Sequence, residues 1–121
     1  LSVVSGEPLR FKISIDIPKE PDVLMSDLCL LFYNYKQQRV AVFDLRNFFK
    51  SFSRNHSHLK YTGIVNNFNL IEGKYYVGIF YGLNSVYGDV YDLVSIQVKN
   101  APEKYNVKPY DLQYRGYVEL C

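Results

Sequence analysis

In the stretch NLIEGKYYVGIFYGL (69–83), Tyr75, Val77, Ile79 and Tyr81 alternate with Tyr76, Gly78, Phe80 and Gly82. Successive side chains of a strand point to opposite faces, so both faces of this segment are apolar. One face belongs to a core, and Tyr75 and Tyr81 are expected there because they share it with Val77 and Ile79. The other face presents Tyr76 and Phe80, separated by a gap at Gly78. Leu31, Tyr33, Tyr91, Leu93 and Gln97 extend that face from neighbouring segments. Rings of this kind cover the flat C–H surfaces of a ligand, and Gln97, Arg39 and Asp92 supply hydrogen bonds to the groups around such a surface. Asp92 is the weakest member, since strict alternation turns it inward.

Catalytic chemistry finds less support. His56 and His58 in HSH fall on one side of a strand, but a metal site takes three or four ligands and no others lie close in sequence. They read as solvated loop histidines. No Ser or Cys sits in a nucleophile elbow, and Asp16, Glu20, Asp22, Asp27 and Asp44 are too scattered to mark a carboxylate pair. The phosphate-cradling pattern G-x-x-x-x-G-K-[ST] is absent. The expectation is a non-enzymatic chain without metal or cofactor.

With 121 residues, the chain is expected to be one domain, large enough to fold on a single core. Twelve Tyr and eight Phe, with no Trp, make its composition unusually aromatic. A net charge of +2, from Lys and Arg scattered along the chain, argues against nucleic acid as a partner. Arg46, Lys50 and Arg54 come nearest to a cluster and read as one solvated loop. Two cysteines, Cys29 and Cys121, do not make a disulfide framework, which favours a reducing compartment. No apolar run approaches the ~20 residues of a membrane span. The opening LSVVSGEPLRF, without an initiator Met, reads as part of a longer protein.

These residues need strands to hold them. LRFKISIDI (9–17) alternates strictly and predicts a half-buried strand ended by Pro18 and Pro21. SDLCLLFYNY (26–35) is apolar on both faces and predicts a central strand, with Leu28, Leu30 and Phe32 inward. NYKQQ (34–38) predicts a turn into RVAVFDL (39–45). Residues 46–60, with Phe48, Phe49 and Phe52, fit a short helix or a loop pegged into the core. YTGIVNNFNL (61–70) predicts a fourth strand and the opening stretch a fifth. NSVYGD (84–89) predicts a loop or turn, VYDLVSIQVKN (90–100) a sixth strand, and YDLQYRGYVEL (110–120) a last one. The class expected is all-β, an antiparallel immunoglobulin-like β-sandwich of about seven to eight strands.

Three segments carry a family resemblance: GEPLRFKISI (6–15), NNFNLIEGKYYVGI (66–79) and LQYRGYVEL (112–120). In this order and spacing the chain resembles the C-terminal carbohydrate-binding domain of Wzt-type ATP-binding subunits, which serve ABC exporters of bacterial O-antigen polysaccharides. Family members commonly run on from the final strand to a Trp, whereas this sequence stops at Cys121. The resemblance implies recognition of the non-reducing end of a lipid-linked glycan at the cytoplasmic face of the inner membrane. It further implies an ATPase domain N-terminal to this chain, a membrane subunit reached through that domain, and a homodimer. Under this reading Tyr33, Tyr76, Phe80 and Tyr91 stack on pyranose C–H patches, while Gln97, Arg39 and Asp92 satisfy hydroxyls. Two alternatives stay open. The aromatic face packs under the 46–60 loop or a second subunit, or the domain is an immunoglobulin-like protein-interaction module.

Overall fold

The computed structural model describes residues 1–16, 25–46, 58–83, 86–100, 110, 111, 113 and 115–118. Among them the chain is all-β, with seven strands and no α-helix: β1 (Ser2–Val4), β2 (Leu9–Asp16), β3 (Met25–Tyr33), β4 (Arg39–Asp44), β5 (His58–Val65), β6 (Gly73–Leu83) and β7 (Val86–Lys99). They form a five-stranded sheet in the order β1-β7-β6-β3-β4 and a two-stranded sheet of β2 and β5.

β2 forms where strict alternation predicted it, with Leu9, Phe11, Ile13 and Ile15 half-buried and Arg10, Lys12, Ser14 and Asp16 exposed. β3 and β6 are the double-sided apolar strands and pair centrally, Phe32 opposite Val77 and Tyr33 opposite Tyr76. Their inward residues Leu28, Leu30, Phe32, Tyr75, Val77 and Ile79 join Ile96, Val98, Phe68 and Leu70 in one core, and the apolar face of β2 packs against it. At about 25 cal/mol per Å² of apolar surface removed from water, each such side chain stabilises the fold by roughly 1.5–3 kcal/mol. A cavity of about 780 Å³ remains between β2 and the core face of the large sheet, lined by Phe11, Ile13, Phe32, Val77, Ile79 and Val94 among others.

The hairpin β3–β4 turns on Asn34, which is buried. Its side-chain oxygen accepts from the backbone N–H groups of Lys36 and Gln38, both at 2.9 Å, and its amide donates to Gln38 Oε1. Asn competes well for such backbone groups, so it suits this position.

Several expectations are corrected. The large sheet is mixed rather than antiparallel, because β1 pairs parallel with β7, Ser2 opposite Gln97. A three-residue strand has too short a period to announce itself in sequence. The predicted turn 84–89 gives way from Val86 onward to β7, which runs back along β6 with Val86 opposite Leu83. The fourth strand is displaced and covers His58–Val65. Beyond it, Asn67 takes φ 55°, and Phe68 and Leu70 enter the core as pegs instead of extending the strand. In the predicted last strand 110–120, the described residues make a single bridge, Leu70 to Val118. The 47–57 part of the aromatic segment, including Phe48, Phe49, Phe52 and His56, lies outside the described residues, as do the connector 101–109 and Cys121.

The C-terminal segment instead docks on the turn before β6. Ile71 N–H donates to the Tyr117 carbonyl at 3.0 Å, and Arg115 makes a short, largely buried ion pair with Glu72. Beside it the buried Tyr75 hydroxyl donates to the Ile71 carbonyl at 2.9 Å. Burial, then the neighbouring Tyr117 and Glu72, push the Tyr75 hydroxyl up to about 12 from 10, against the opposing Arg115. Unfolded, the phenol loses its proton near pH 10, while the folded chain holds it to about pH 12. Stability is therefore retained below pH 10 and falls as pH rises through that window, by up to about 2.7 kcal/mol. Urea titrations at pH 9.5 and 11.5 are expected to show this loss, and Tyr75→Phe is expected to lack its share of it.

Candidate functional site

The outward face of the large sheet begins with the cross-strand pair Tyr33 and Tyr76. Tyr91 of β7 lies against both: its ring is 4.7 Å from Tyr33, edge-on, and 6.0 Å from Tyr76, stacked at 29°. Arg39, opposite Tyr33 on β4, donates from Nη2 to the Tyr33 hydroxyl at 3.0 Å and lies over its ring, 5.5 Å from the centroid. On β6, Lys74 Nζ lies 5.4 Å over Tyr76. Three tyrosines thus form one packed cluster with a cation on either side.

A register irregularity builds this cluster. Val77 pairs with Val94 and Ile79 with Val90, so Gly78 alone stands opposite Tyr91, Asp92 and Leu93. The extra length bulges β7 over Gly78 and turns Tyr91 back across the neighbouring rings. The gap expected at Gly78 is therefore closed by backbone: a Cβ added there would meet the carbonyl oxygens of Val90 and Tyr91. One more expectation changes for the same reason: Asp92 is exposed instead of turned inward, while Leu93 is exposed, as expected.

Tyr33 is only 8% exposed and Leu31 only 1%, so neither offers a face to a ligand. Leu31 is a floor beneath the rings, and Tyr33 anchors Arg39. Tyr76 and Tyr91 remain half-exposed. The Tyr91 hydroxyl is shut off from solvent with no hydrogen-bond partner among the described residues, an uncommon state for a buried polar atom. Burial, followed by the nearby Tyr76, Asp92 and Tyr33, raises its pKa and keeps it protonated. The hydrogen bond from Arg39 to Tyr33 likewise raises the guanidinium's pKa, so that charge is permanent.

Phe80 and Gln97 sit outside this cluster. Gln97 is exposed, opposite Lys74 in the ladder. Phe80 stacks on Tyr87, 5.9 Å between centroids at 8°, and Tyr87 is 60% exposed. Phe80 lies four positions along β6 from Tyr76, about 13 Å at 3.3 Å per residue. The face therefore carries two aromatic platforms spaced more widely than one hexose ring. Sequence reasoning missed Tyr87, hidden in a predicted turn, and Lys74. The signal for Lys74 was its place on the Tyr76 face, two residues away.

Cys29, opposite Phe80 on this face, is a free thiol whose pKa is raised, first by burial and then by Asp44. Among the described residues no group of three His, Cys, Asp or Glu side chains could hold a metal ion, and no helix is long and apolar enough to cross a membrane. His58 is seen as a backbone partner of Asp16 in the β2–β5 ladder. No family model matches this chain, and no curated protein matches it in sequence.

Proposed function

We propose that this chain is a non-catalytic glycan-recognition domain that reads a bacterial O-antigen polysaccharide for an ABC exporter, at the cytoplasmic face of the inner membrane. The observation that carries the reading is the half-exposed pair Tyr76 and Tyr91, held by Tyr33 and flanked by Arg39 and Lys74. Flat rings beside fixed polar groups suit a sugar, whose C–H patches alternate with hydroxyls. Selectivity comes from pairing those hydroxyls, because unpaired ones are costly to bury.

An immunoglobulin-like β-sandwich is the fold that goes with this role. The order β7-β6-β3-β4 corresponds to strands G-F-C-C′, and the separate pair β2–β5 to B and E. Tyr75, near the start of β6 with its hydroxyl bonded four residues back to Ile71, occupies the place of a tyrosine corner. The exporter's ATPase domain would precede the chain, its membrane subunit would be reached through that domain, and two copies would pair. A protein-interaction module is the second reading, supported by β4, an edge strand with Val42 53% exposed.

Titration with the surface polysaccharide of the source strain, against an unrelated polysaccharide, separates the two. The expected Kd is about 1 µM to 1 mM, roughly −8 to −4 kcal/mol, as suits a shallow, wet site. Tyr76→Ala is expected to weaken binding at least tenfold, about 1.4 kcal/mol, with the urea midpoint and oligomeric state retained. Absence of binding by the folded wild-type chain would sink the glycan reading.

A further inference from the structure

We infer that the tyrosine cluster takes an acidic sugar, one whose carboxylate is gripped between Arg39 and Lys74 while its ring lies against Tyr76 and Tyr91; this rests on the glycan reading above. The argument starts from what the two cations lack. On the same β4 strand, Asp44 is saturated by Arg46, which reaches its carboxylate through Nε and Nη2 at 2.7–3.0 Å. Among the described residues Arg39 has no such partner. Its one side-chain hydrogen bond goes to the Tyr33 hydroxyl, which leaves most of the guanidinium's five N–H donors unused. Among the described residues Lys74 makes neither an ion pair nor a side-chain hydrogen bond and rests on the Tyr76 ring.

Their placement matters as much as their freedom. The ladder sets Arg39 opposite Tyr33 and Tyr33 opposite Tyr76, with Lys74 two residues along β6. Strands about 4.8 Å apart put the two cations on either side of the Tyr33–Tyr76 pair, within reach of one small ligand. The Tyr91 ring lies against both Tyr33 and Tyr76, and its hydroxyl has no hydrogen-bond partner among the described residues. Guanidinium and ammonium only donate, and a phenol that keeps its proton donates as well. A sugar hydroxyl asks for acceptors and donors alike. A carboxylate asks only for donors, and a bond to it from a charged group is about twice as strong as a neutral one.

The test is a printed array of uronic-acid-containing and neutral bacterial glycans, probed with the whole chain, followed by titration of the best binders before and after chemical reduction of their carboxyl groups. Binding is expected to favour carboxylated glycans, to fall at least tenfold on reduction, and to weaken as salt rises. Arg39→Gln and Lys74→Gln are each expected to weaken the acidic glycan severalfold, and to weaken a neutral glycan by a smaller factor, because only the carboxylate loses a charge-assisted bond. Both residues are exposed, and an unchanged urea midpoint verifies the fold of each variant. Equal affinity before and after reduction would overturn the acidic-sugar inference and leave glycan recognition standing. Binding to nothing on the array, by folded protein that also ignores its own strain's polysaccharide, would overturn both. Displacement of the acidic glycan by millimolar inorganic phosphate alone would show a general anion site and overturn the assignment to a sugar.

Discussion

Gly78→Ala is expected to destabilise the chain by about 3 kcal/mol or more and to abolish the outward tyrosine cluster. The added methyl would lie 2.5 Å from the Tyr91 carbonyl oxygen and closer still to that of Val90. Both obstacles are backbone, so no rotamer change relieves them. Overpacking a well-filled site ordinarily costs 1–3 kcal/mol, and the upper end or beyond applies where main chain must move. The part that must move is the β7 bulge carrying Tyr91, opposite the only β6 residue without a side chain between Val77 and Ile79. Equilibrium urea unfolding measures the loss. The tyrosine near-ultraviolet circular dichroism of the folded variant should change as Tyr91 leaves Tyr33 and Tyr76. An unchanged midpoint with an unchanged spectrum would mean that the bulge does not press on Gly78. Gly82→Ala is a useful contrast, because the nearest atoms there are side chains of Asp27, Ser26 and Tyr87, which can shift.

Arg115→Ala is expected to cost about 3–5 kcal/mol, the range seen when one partner of a buried ion pair is removed. Its side chain is 10% exposed and that of Glu72 20%, so water does little to replace the lost charge. With its amide turned to donate, Asn100 faces the same carboxylate and retains part of its hydrogen bonding. The loss should be local in origin. Arg115, Tyr117 and Val118 hold the C-terminal segment against Leu70, Ile71 and Glu72, and Tyr75 anchors the same turn from below. Adding Glu72→Gln to Arg115→Ala is expected to recover part of the stability, since the stranded carboxylate is gone. Strict additivity of the two substitutions in urea would show that the residues are not coupled.

Much of this fold could be read from side-chain period alone. β2 was legible because every second residue from Leu9 to Ile15 is apolar, and β3 and β6 because both of their faces are. The same period placed Tyr33, Tyr76 and Tyr91 on one face. What period cannot convey is the register between strands. The bulge opposite Gly78 depends on two strands at once, so the exposure of Asp92 was invisible in either segment. Burial of Tyr33 was missed for a related reason: its cover, Arg39 and Tyr91, comes from β4 and from the bulge. The pairing of Glu72 with Arg115 joins residues 43 positions apart and leaves no local pattern. Lys74 escaped notice because a lone surface lysine is ordinary until the ring beneath it is located.

The parallel pairing of β1 with β7 has a consequence for how the chain reaches this arrangement. Two local hairpins, β3–β4 and β6–β7, can form as soon as their segments exist. Closing Ser2 onto Gln97 instead joins the first described strand to the last, and the ladder of β2 and β5 spans Leu9 to Val65. Loop closure over such separations must precede the contacts that offset it, which places the chain among slow-folding β topologies, on the millisecond-to-second scale. Until Leu1 accepts from the Gln97 N–H and Ser2–Val4 dock, that end of β7 presents unpaired backbone groups. During synthesis β1 emerges ahead of β7 and can find its partner only after nearly a hundred further residues have followed, an interval in which the unpaired backbone of β1 is open to pairing with another chain.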